Sequence, residues 1–295
     1  MTVFKGLEAI VQQDYPLGAA TTYRVGGKAD YFVTPRSEDE LRDVLQRCDK
    51  AGLEVRAFGR GSNILVRDGG VRGAVVQLDP EGFGRIIVEE DLLRAGAAAP
   101  LGKVVAEAAR HGLSGVECLV GIPGSVGGAI RMNAGGAFGD IGQTTERVKV
   151  MDSQGQSFYR EREDLAFGYR TSNIAVRFIL EGELRLIPHN AKAIEQQMKK
   201  IWIAKKNSQP MNAASAGCVF RNPRGVSAGL LIDQTGLKGA SVGGALVSRK
   251  HANYIVIRDK DKAKAANVEE LIDRVRKAVE ERFKIALELE IQIWG

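Results

Sequence analysis

The run Gly121-Ile122-Pro123-Gly124-Ser125-Val126-Gly127-Gly128-Ala129-Ile130-Arg131-Met132-Asn133-Ala134-Gly135 opens a segment that fits no regular element. Eight glycines fall within the 22 residues from Gly121 to Gly142. Glycine loses more backbone freedom on ordering than any other residue, so this density speaks against a packed helix. Ile122, Val126, Ile130 and Met132 make the segment too apolar for a disordered linker. It is expected to be irregular backbone folded close against another surface. A shorter glycine loop, Gly59-Arg60-Gly61-Ser62-Asn63, lies between the apolar runs Leu53–Phe58 and Ile64-Leu65-Val66. Two glycines let backbone approach an anion, successive N–H groups can converge on it, and Ser62 and Asn63 add donors. Taken alone, these five residues fit an ordinary tight turn equally well. Two such loops together suit one elongated phosphate-bearing cofactor; glycines at close-packed crossings are the structural alternative.

Around these loops helices and strands alternate. Ser37-Glu38-Asp39-Glu40 has the form of a capping box, followed by Leu41, Val44, Leu45 and Cys48 at helical spacing, with Gly52 as the stop. Pro100 marks a first helical turn, and that helix is expected to run to Gly112. Short strands and turns fill Val148 to Leu186. A helix from about Ala191 to Lys206 is expected to bury Ile194, Met198, Ile201 and Trp202 on one face. A short helix near Ser227–Gln234, strands near 241–258 and an amphipathic helix near Val268–Phe283 follow. From Leu287 to Trp294 the pattern alternates strictly, which predicts a half-buried strand with Glu288, Glu290, Gln292 and Trp294 on its polar face. The fold class is α+β, with at least two domains in 295 residues.

Composition narrows the function. Hydrophobic residues at 44% and charged residues at 26% describe a globular chain. No stretch approaches the roughly 20 apolar residues of a membrane span, and Met1-Thr2-Val3-Phe4-Lys5 lacks the apolar core of a signal peptide. A cytoplasmic protein without membrane insertion is therefore expected. Lys and Arg (42) exceed Asp and Glu (36), giving +6. The excess is spread out, and aromatics, at 6%, do not interleave with it as nucleic-acid binding would require. A site for a small polyanion accounts for it equally well. Cys48, Cys118 and Cys218 show no close pairing, which favours free thiols over a disulfide framework or a metal site. No dinucleotide fingerprint or P-loop is present.

Single residues add candidates, each with a plain counterpart. Tyr169-Arg170-Thr171-Ser172 sets a cation beside two hydroxyls, although such arginines are commonly surface ion-pair partners. Cys218 follows Gly217 in a loop, where a thiol is often an inert small hydrophobe. Glu290 falls on a strand's polar face, where solvent exposure is the ordinary outcome. The residues by themselves indicate a cofactor-binding enzyme of open chemistry.

Together, the strings resemble one family. Thr22-Tyr23-Arg24-Val25-Gly26-Gly27-Lys28-Ala29-Asp30, Gly59 to Asn63, Gly112-Leu113-Ser114-Gly115-Val116-Glu117, Gly121 to Gly128 and Met132-Asn133-Ala134-Gly135 are similar to motifs of the UDP-N-acetylenolpyruvoylglucosamine reductases. So are Phe167 to Ser172, Ser215 to Pro223, Leu231-Ile232-Asp233 with Gly236-Leu237-Lys238-Gly239, and Leu287-Glu288-Leu289-Glu290. The match runs in order from about residue 15 to 295. It implies an FAD enzyme that uses NADPH to reduce the enolpyruvyl ether of UDP-N-acetylglucosamine to UDP-N-acetylmuramate, a peptidoglycan precursor. It also implies a two-subdomain FAD module of the vanillyl-alcohol-oxidase type, 1–78 with the strand 287–295 and 79–190, followed by a UDP-sugar domain at 191–286. Only Arg224-Gly225-Val226 separates Pro223 from the next helix cap, which resembles the compact branch that lacks a tyrosine-bearing loop.

Carried over position by position, the resemblance assigns FAD to Tyr23, Arg24, Gly59, Arg60, Gly61, Ser62, Asn63, Gly121, Pro123, Gly124, Ser125, Gly127, Gly128, Asn133, Ala134 and Gly135. It assigns the UDP-sugar to Tyr169, Lys206, Asn222, Lys238 and His251. Catalysis falls to Arg170 and Glu290, which would polarise the substrate carboxylate, and to Cys218. The best-known members carry serine at that last position as proton donor. A thiol, with a reference pKa of about 8.5, is a protonated and stronger acid at neutral pH. No metal is implied, and a monomer or weak homo-oligomer is expected. Two other readings are an FAD-dependent oxidase of the same fold acting on another substrate, and a non-enzymatic basic protein binding nucleic acid. Oxygen-driven flavin reoxidation would mark the first, and strongly salt-dependent DNA or RNA affinity the second.

Overall fold

A computed structural model describes residues 3–295. The chain divides into two compact units with interleaved sequence. The first takes residues up to Gln13, Tyr31–Arg60 and Gly73–Ala204; the second takes Asp14–Asp30, Gly61–Arg72 and Lys205–Gly295.

The first unit is built on a five-stranded antiparallel sheet in the order Ser157–Arg160, Thr145–Met151, Phe178–Arg185, Leu92–Gly96, Ile86–Glu89. The helix Val126–Arg131 packs on the strand Phe178–Arg185 at Gly182, where a Cβ would lie 2.4 Å from Ile130 Cδ1. A four-stranded sheet, ordered Val11–Tyr15, Ala29–Val33, Val71–Val76, Val55–Ala57, supports the helix Glu38–Lys50. That helix buries Leu41, Val44, Leu45 and Cys48, as their spacing predicts. The Ser37 hydroxyl caps it by accepting from the Glu40 N–H, but Glu40 itself accepts from the Arg36 N–H, so only half of the expected capping box forms.

The second unit pairs Ile64–Val66 with Gln292–Trp294 in parallel, Leu65 opposite Ile293. An antiparallel set, Ser241–Val242, Ala245–Val247 and Ile255–Ile257, packs with the helices Ala228–Gln234 and Ala265–Phe283 around Ile232, Val247, Leu271 and Val275. Ser227 caps the shorter helix. Asp68, 197 residues upstream, caps the longer one by accepting from the N–H groups of Ala265 and Ala266 at 2.9 and 3.1 Å.

Three expectations need correction. The glycine-rich segment does contain a helix, because Ser125 caps it and Val126, Ala129 and Ile130 bury one side despite Gly127 and Gly128. In the helix Ala191–Ser208, Ile194 and Ile201 are buried but Trp202 stays 40% exposed. The last regular strand is only Gln292–Trp294, and Trp294 is buried, not on a polar face. Among the described residues, no helix is long and apolar enough to cross a membrane.

Candidate active site

The first unit contains a cavity with an apolar lining from Phe58, Val76, Leu78 and Ile179. Its other contributors are Gly59, Arg60, Ser125, Gly127, Gly128 and Arg177. Close approach demands the glycines: a Cβ on Gly59 would come to 2.9 Å from Ser125 Oγ, and one on Gly127 to 2.9 Å from Ala97 Cβ. Gln77 Nε2 fixes the Gly59 carbonyl at 2.5 Å. The Val126 and Gly127 N–H groups are spent on Ala99 and Ala97 carbonyls at 3.0 Å, so positive charge at the cavity comes from Arg60 and Arg177. Arg131 also lines it, but its guanidinium donates to the Ile174 and Val176 carbonyls, and burial pushes its pKa down. An apolar wall, a glycine cradle and two exposed cations fit a long, part-apolar anion such as FAD.

Other residues expected at the cofactor serve the surrounding backbone. Gly121, Pro123 and Gly124 lead into the capped helix, and Gly124 accepts from the Leu101 N–H at 3.1 Å. Asn133 is buried at φ +43. It donates to the Gly168 carbonyl and accepts from the Gly142 N–H, each at 3.0 Å. Ala134 accepts from the Ile141 N–H, and Gly135 pairs with Asp140. Asn133 thereby anchors the hairpin in which Phe167 faces Ser172 and Gly168 faces Thr171. The hairpin's tip is Tyr169-Arg170. Tyr169 is 51% exposed, and the Arg170 guanidinium lies 5.3 Å from its ring centroid. Arg170 takes φ +57, a left-handed conformation that costs a side-chain-bearing residue about 1 kcal/mol and concentrates at functional positions.

The second unit brings Cys218, Glu290 and Asn63 together through backbone. The Glu290 N–H donates to the Val219 carbonyl at 2.8 Å, Phe220 bridges Leu289, and Arg221 N–H donates to Glu288 at 2.9 Å. Asn63 Nδ2 donates to the Glu290 carbonyl at 3.1 Å, and the Asn63 carbonyl accepts from Gln292 at 2.9 Å. Cys218 is half-buried after Gly217, whose φ of +79 makes the turn. Gly61 accepts from the Thr22 N–H at 3.1 Å, and Ser62 is half-buried beside it. Arg24 is exposed at φ +60. Tyr23 is fully buried in this unit's core, with its hydroxyl beside the Ala216 backbone; burial raises its pKa and keeps it neutral.

Asn222 is exposed and accepts from the Ala228 N–H at 3.0 Å. Lys238 pairs with Asp233 at 2.6 Å, and Lys206 is exposed, its carbonyl taken by Lys250. His251 Nδ1 accepts from the Asn253 N–H at 3.3 Å, which assigns the neutral ring's proton to Nε2. Burial, helped by the Lys238 ammonium, holds His251 below the usual imidazole pKa. Sequence reasoning missed Gln77 and Asn253. The only signal for Asn253 is a lone amide in the otherwise apolar run from Ala252 to Ile257.

Residues 209–294 match the model for the C-terminal domain of UDP-N-acetylenolpyruvoylglucosamine reductase, and residues 29–158 match an FAD binding domain. The UDP-N-acetylenolpyruvoylglucosamine reductase of Moorella thermoacetica is 41% identical over 291 residues, covering 98% of this chain and 95% of that protein. The Clostridium botulinum reductase is 39% identical over 284 residues, 96% and 92% of the two chains. The crystal structure of the Thermus caldophilus reductase is 38% identical with a TM-score of 0.82, covering 97% of this chain and 98% of that one. Phl p 4.0202, described as a glucose dehydrogenase, shares fold alone: TM-score 0.50 and 15% identity over 64% of this chain and 44% of that one.

Proposed function

The chain belongs to the UDP-N-acetylenolpyruvoylglucosamine reductases, and from that premise we propose how its residues carry out the reaction. It is an FAD-dependent oxidoreductase that reduces the enolpyruvyl UDP-sugar to UDP-N-acetylmuramate, a peptidoglycan precursor, with NADPH as reductant. Bound FAD would supply the hydride-transfer chemistry that links NADPH to the methylene carbon of the enolpyruvyl group. Gly59, Arg60, Ser125, Gly127 and Gly128 would hold the cofactor, and Arg60 and Arg177 would balance its phosphate charge.

Hydride addition leaves negative charge on the neighbouring carbon and its carboxylate. Arg170 and Glu290 take the role of stabilising it, Glu290 by sharing a proton with the carboxylate. Cys218 donates its thiol proton to that carbon and regains one from solvent in each cycle. Tyr169, Lys206, Asn222, Lys238 and His251 are assigned to the UDP-sugar. The observation that best supports this assignment is the Glu290–Val219 bond, which fixes the acid's backbone against the residue next to the thiol. The division at residues 78 and 190, a cytoplasmic location, no association with nucleic acid and a monomer or weak homo-oligomer complete the proposal.

Anaerobic spectra test it. NADPH should bleach the flavin bands of the purified protein, and the enolpyruvyl UDP-sugar should restore them. Bleaching without recovery would remove the assigned substrate step.

A further inference from the structure

We propose that Asn253 is a positioning residue for proton delivery, holding Cys218 in place through the two residues that follow it. The proposal rests on the assignment of Cys218 as donor. Asn253 is 2% exposed. Its Oδ1 accepts from the Phe220 N–H at 2.9 Å, its Nδ2 donates to the Phe220 carbonyl at 2.7 Å, and its own carbonyl accepts from the Val219 N–H at 2.9 Å. Val219 and Phe220 present four backbone polar groups, and Asn253 binds three of them. The fourth, the Val219 carbonyl, receives the Glu290 N–H.

The carboxamide here does what a neighbouring strand would do: it offers a donor and an acceptor to one residue's N–H and C=O. Aspartate lacks the donor and alanine lacks both. Losing the amide leaves buried groups of Phe220 unsatisfied, and the segment must shift to find water. The amide restrains Phe220, two residues from Cys218, and the Asn253 carbonyl restrains Val219 between them, so a shift of Phe220 is passed along this short segment to the thiol. The Asn253 N–H also donates to His251 Nδ1, which puts one buried residue in contact with both a proposed substrate ligand and the segment that follows the donor.

The test is a double-mutant cycle with the half-reactions measured separately in the FAD-loaded enzyme. Asn253→Ala should slow flavin reoxidation by the enolpyruvyl UDP-sugar about 10- to 100-fold, the scale expected for a misplaced reacting group. NADPH reduction should stay within about twofold. In a Cys218→Ala background the same change should cost less than about threefold more, because its effect runs through the absent thiol. Asn253→Asp keeps the Phe220 acceptor and loses the donor, so it should show the same split. Equal slowing of both half-reactions, losses that multiply with Cys218→Ala, or failure of both variants to fold would each overturn the proposal. Wild-type enzyme that fails to reoxidise with the sugar would instead refute the underlying reaction.

Discussion

The N–H of Glu290 donates to the carbonyl of Val219 at 2.8 Å, so the segment carrying the carboxylic acid is paired with the one carrying the thiol of Cys218. The two segments are tied by main-chain hydrogen bonds around the Phe220–Leu289 bridge. The Asn63 carboxamide secures the same segment from the Glu290 carbonyl. On the proposed assignment, Glu290 and Cys218 act at one reacting centre and must hold their spacing to a fraction of an ångström, which main-chain pairing favours.

Cys218 can be tested by two substitutions. Cys218→Ser keeps a donor and should retain substantial turnover, whereas Cys218→Ala should lose roughly 10²–10⁴-fold in flavin reoxidation by substrate. Reduction by NADPH should survive both. Stopped-flow absorbance of the two half-reactions decides it, and an alanine variant with normal reoxidation would remove the thiol from the mechanism.

Asn63 comes from a loop expected to hold cofactor, yet its amide holds Glu290. Asn63→Ala loses that bond, a net contribution of about 1 kcal/mol, and should slow reoxidation several-fold while flavin content stays near one per chain. Measured flavin stoichiometry separates the two roles: loss of FAD at unchanged reoxidation rate would return Asn63 to the cofactor.

Gly127 and Gly128 make a matched pair. A Cβ at Gly127 meets Ala97 at 2.9 Å, so Gly127→Ala should destabilise by about 1–3 kcal/mol through overpacking. At Gly128 the nearest atom is Ser125 Oγ at 3.6 Å, and Gly128→Ala should be neutral or stabilising by up to about 1 kcal/mol on helix propensity. Gly128 lines the cavity, so that variant should still bind FAD more weakly. Denaturant melts of apo protein with flavin titrations check both halves; equal melts for the two variants would contradict the packing argument.

His251 sets a pH dependence. Its folded pKa lies below the ordinary 6.5, so as pH falls the unfolded chain takes up its proton first. Its contribution to stability is full above about 6.5 and is lost as pH falls towards the lower folded value. His251→Gln should flatten stability over that acid range without altering its slope near pH 8. Thermal melts from pH 5 to 8 measure this, and an unchanged acid limb would rule the histidine out.

Much of the fold is legible because local chemistry decides it. Ser37 and Ser227 announce helices that the structure contains, with apolar spacing that matches the buried faces. The helix after Ser125 was hidden by glycines whose reason is tertiary: they admit Ala97 and the cavity, and propensity yields to that contact. Trp202 and Trp294 exchange their expected environments because helical and strand periodicity say which residues share a face but not how far each face is covered. Cys218, Glu290 and Arg170 are singled out by family strings, and their roles rest on that resemblance. Asn253 is not, because its partners are backbone groups 33 residues away, which leave no trace in side-chain identity.

The interleaving of the two units bears on how the chain is made. Ile64–Val66 pairs with Gln292–Trp294, so this apolar strand leaves the ribosome some 228 residues before its partner, the same spacing that separates Arg67 from Gly295. At roughly 5–20 residues per second, translation leaves it unpaired for about ten to fifty seconds. The first unit can close around its own sheet during that interval, while the second waits with an open edge. Vectorial synthesis therefore gives the unit carrying Cys218 and Glu290 the longest exposure to chaperones and proteases, and makes it the last part of the enzyme to mature.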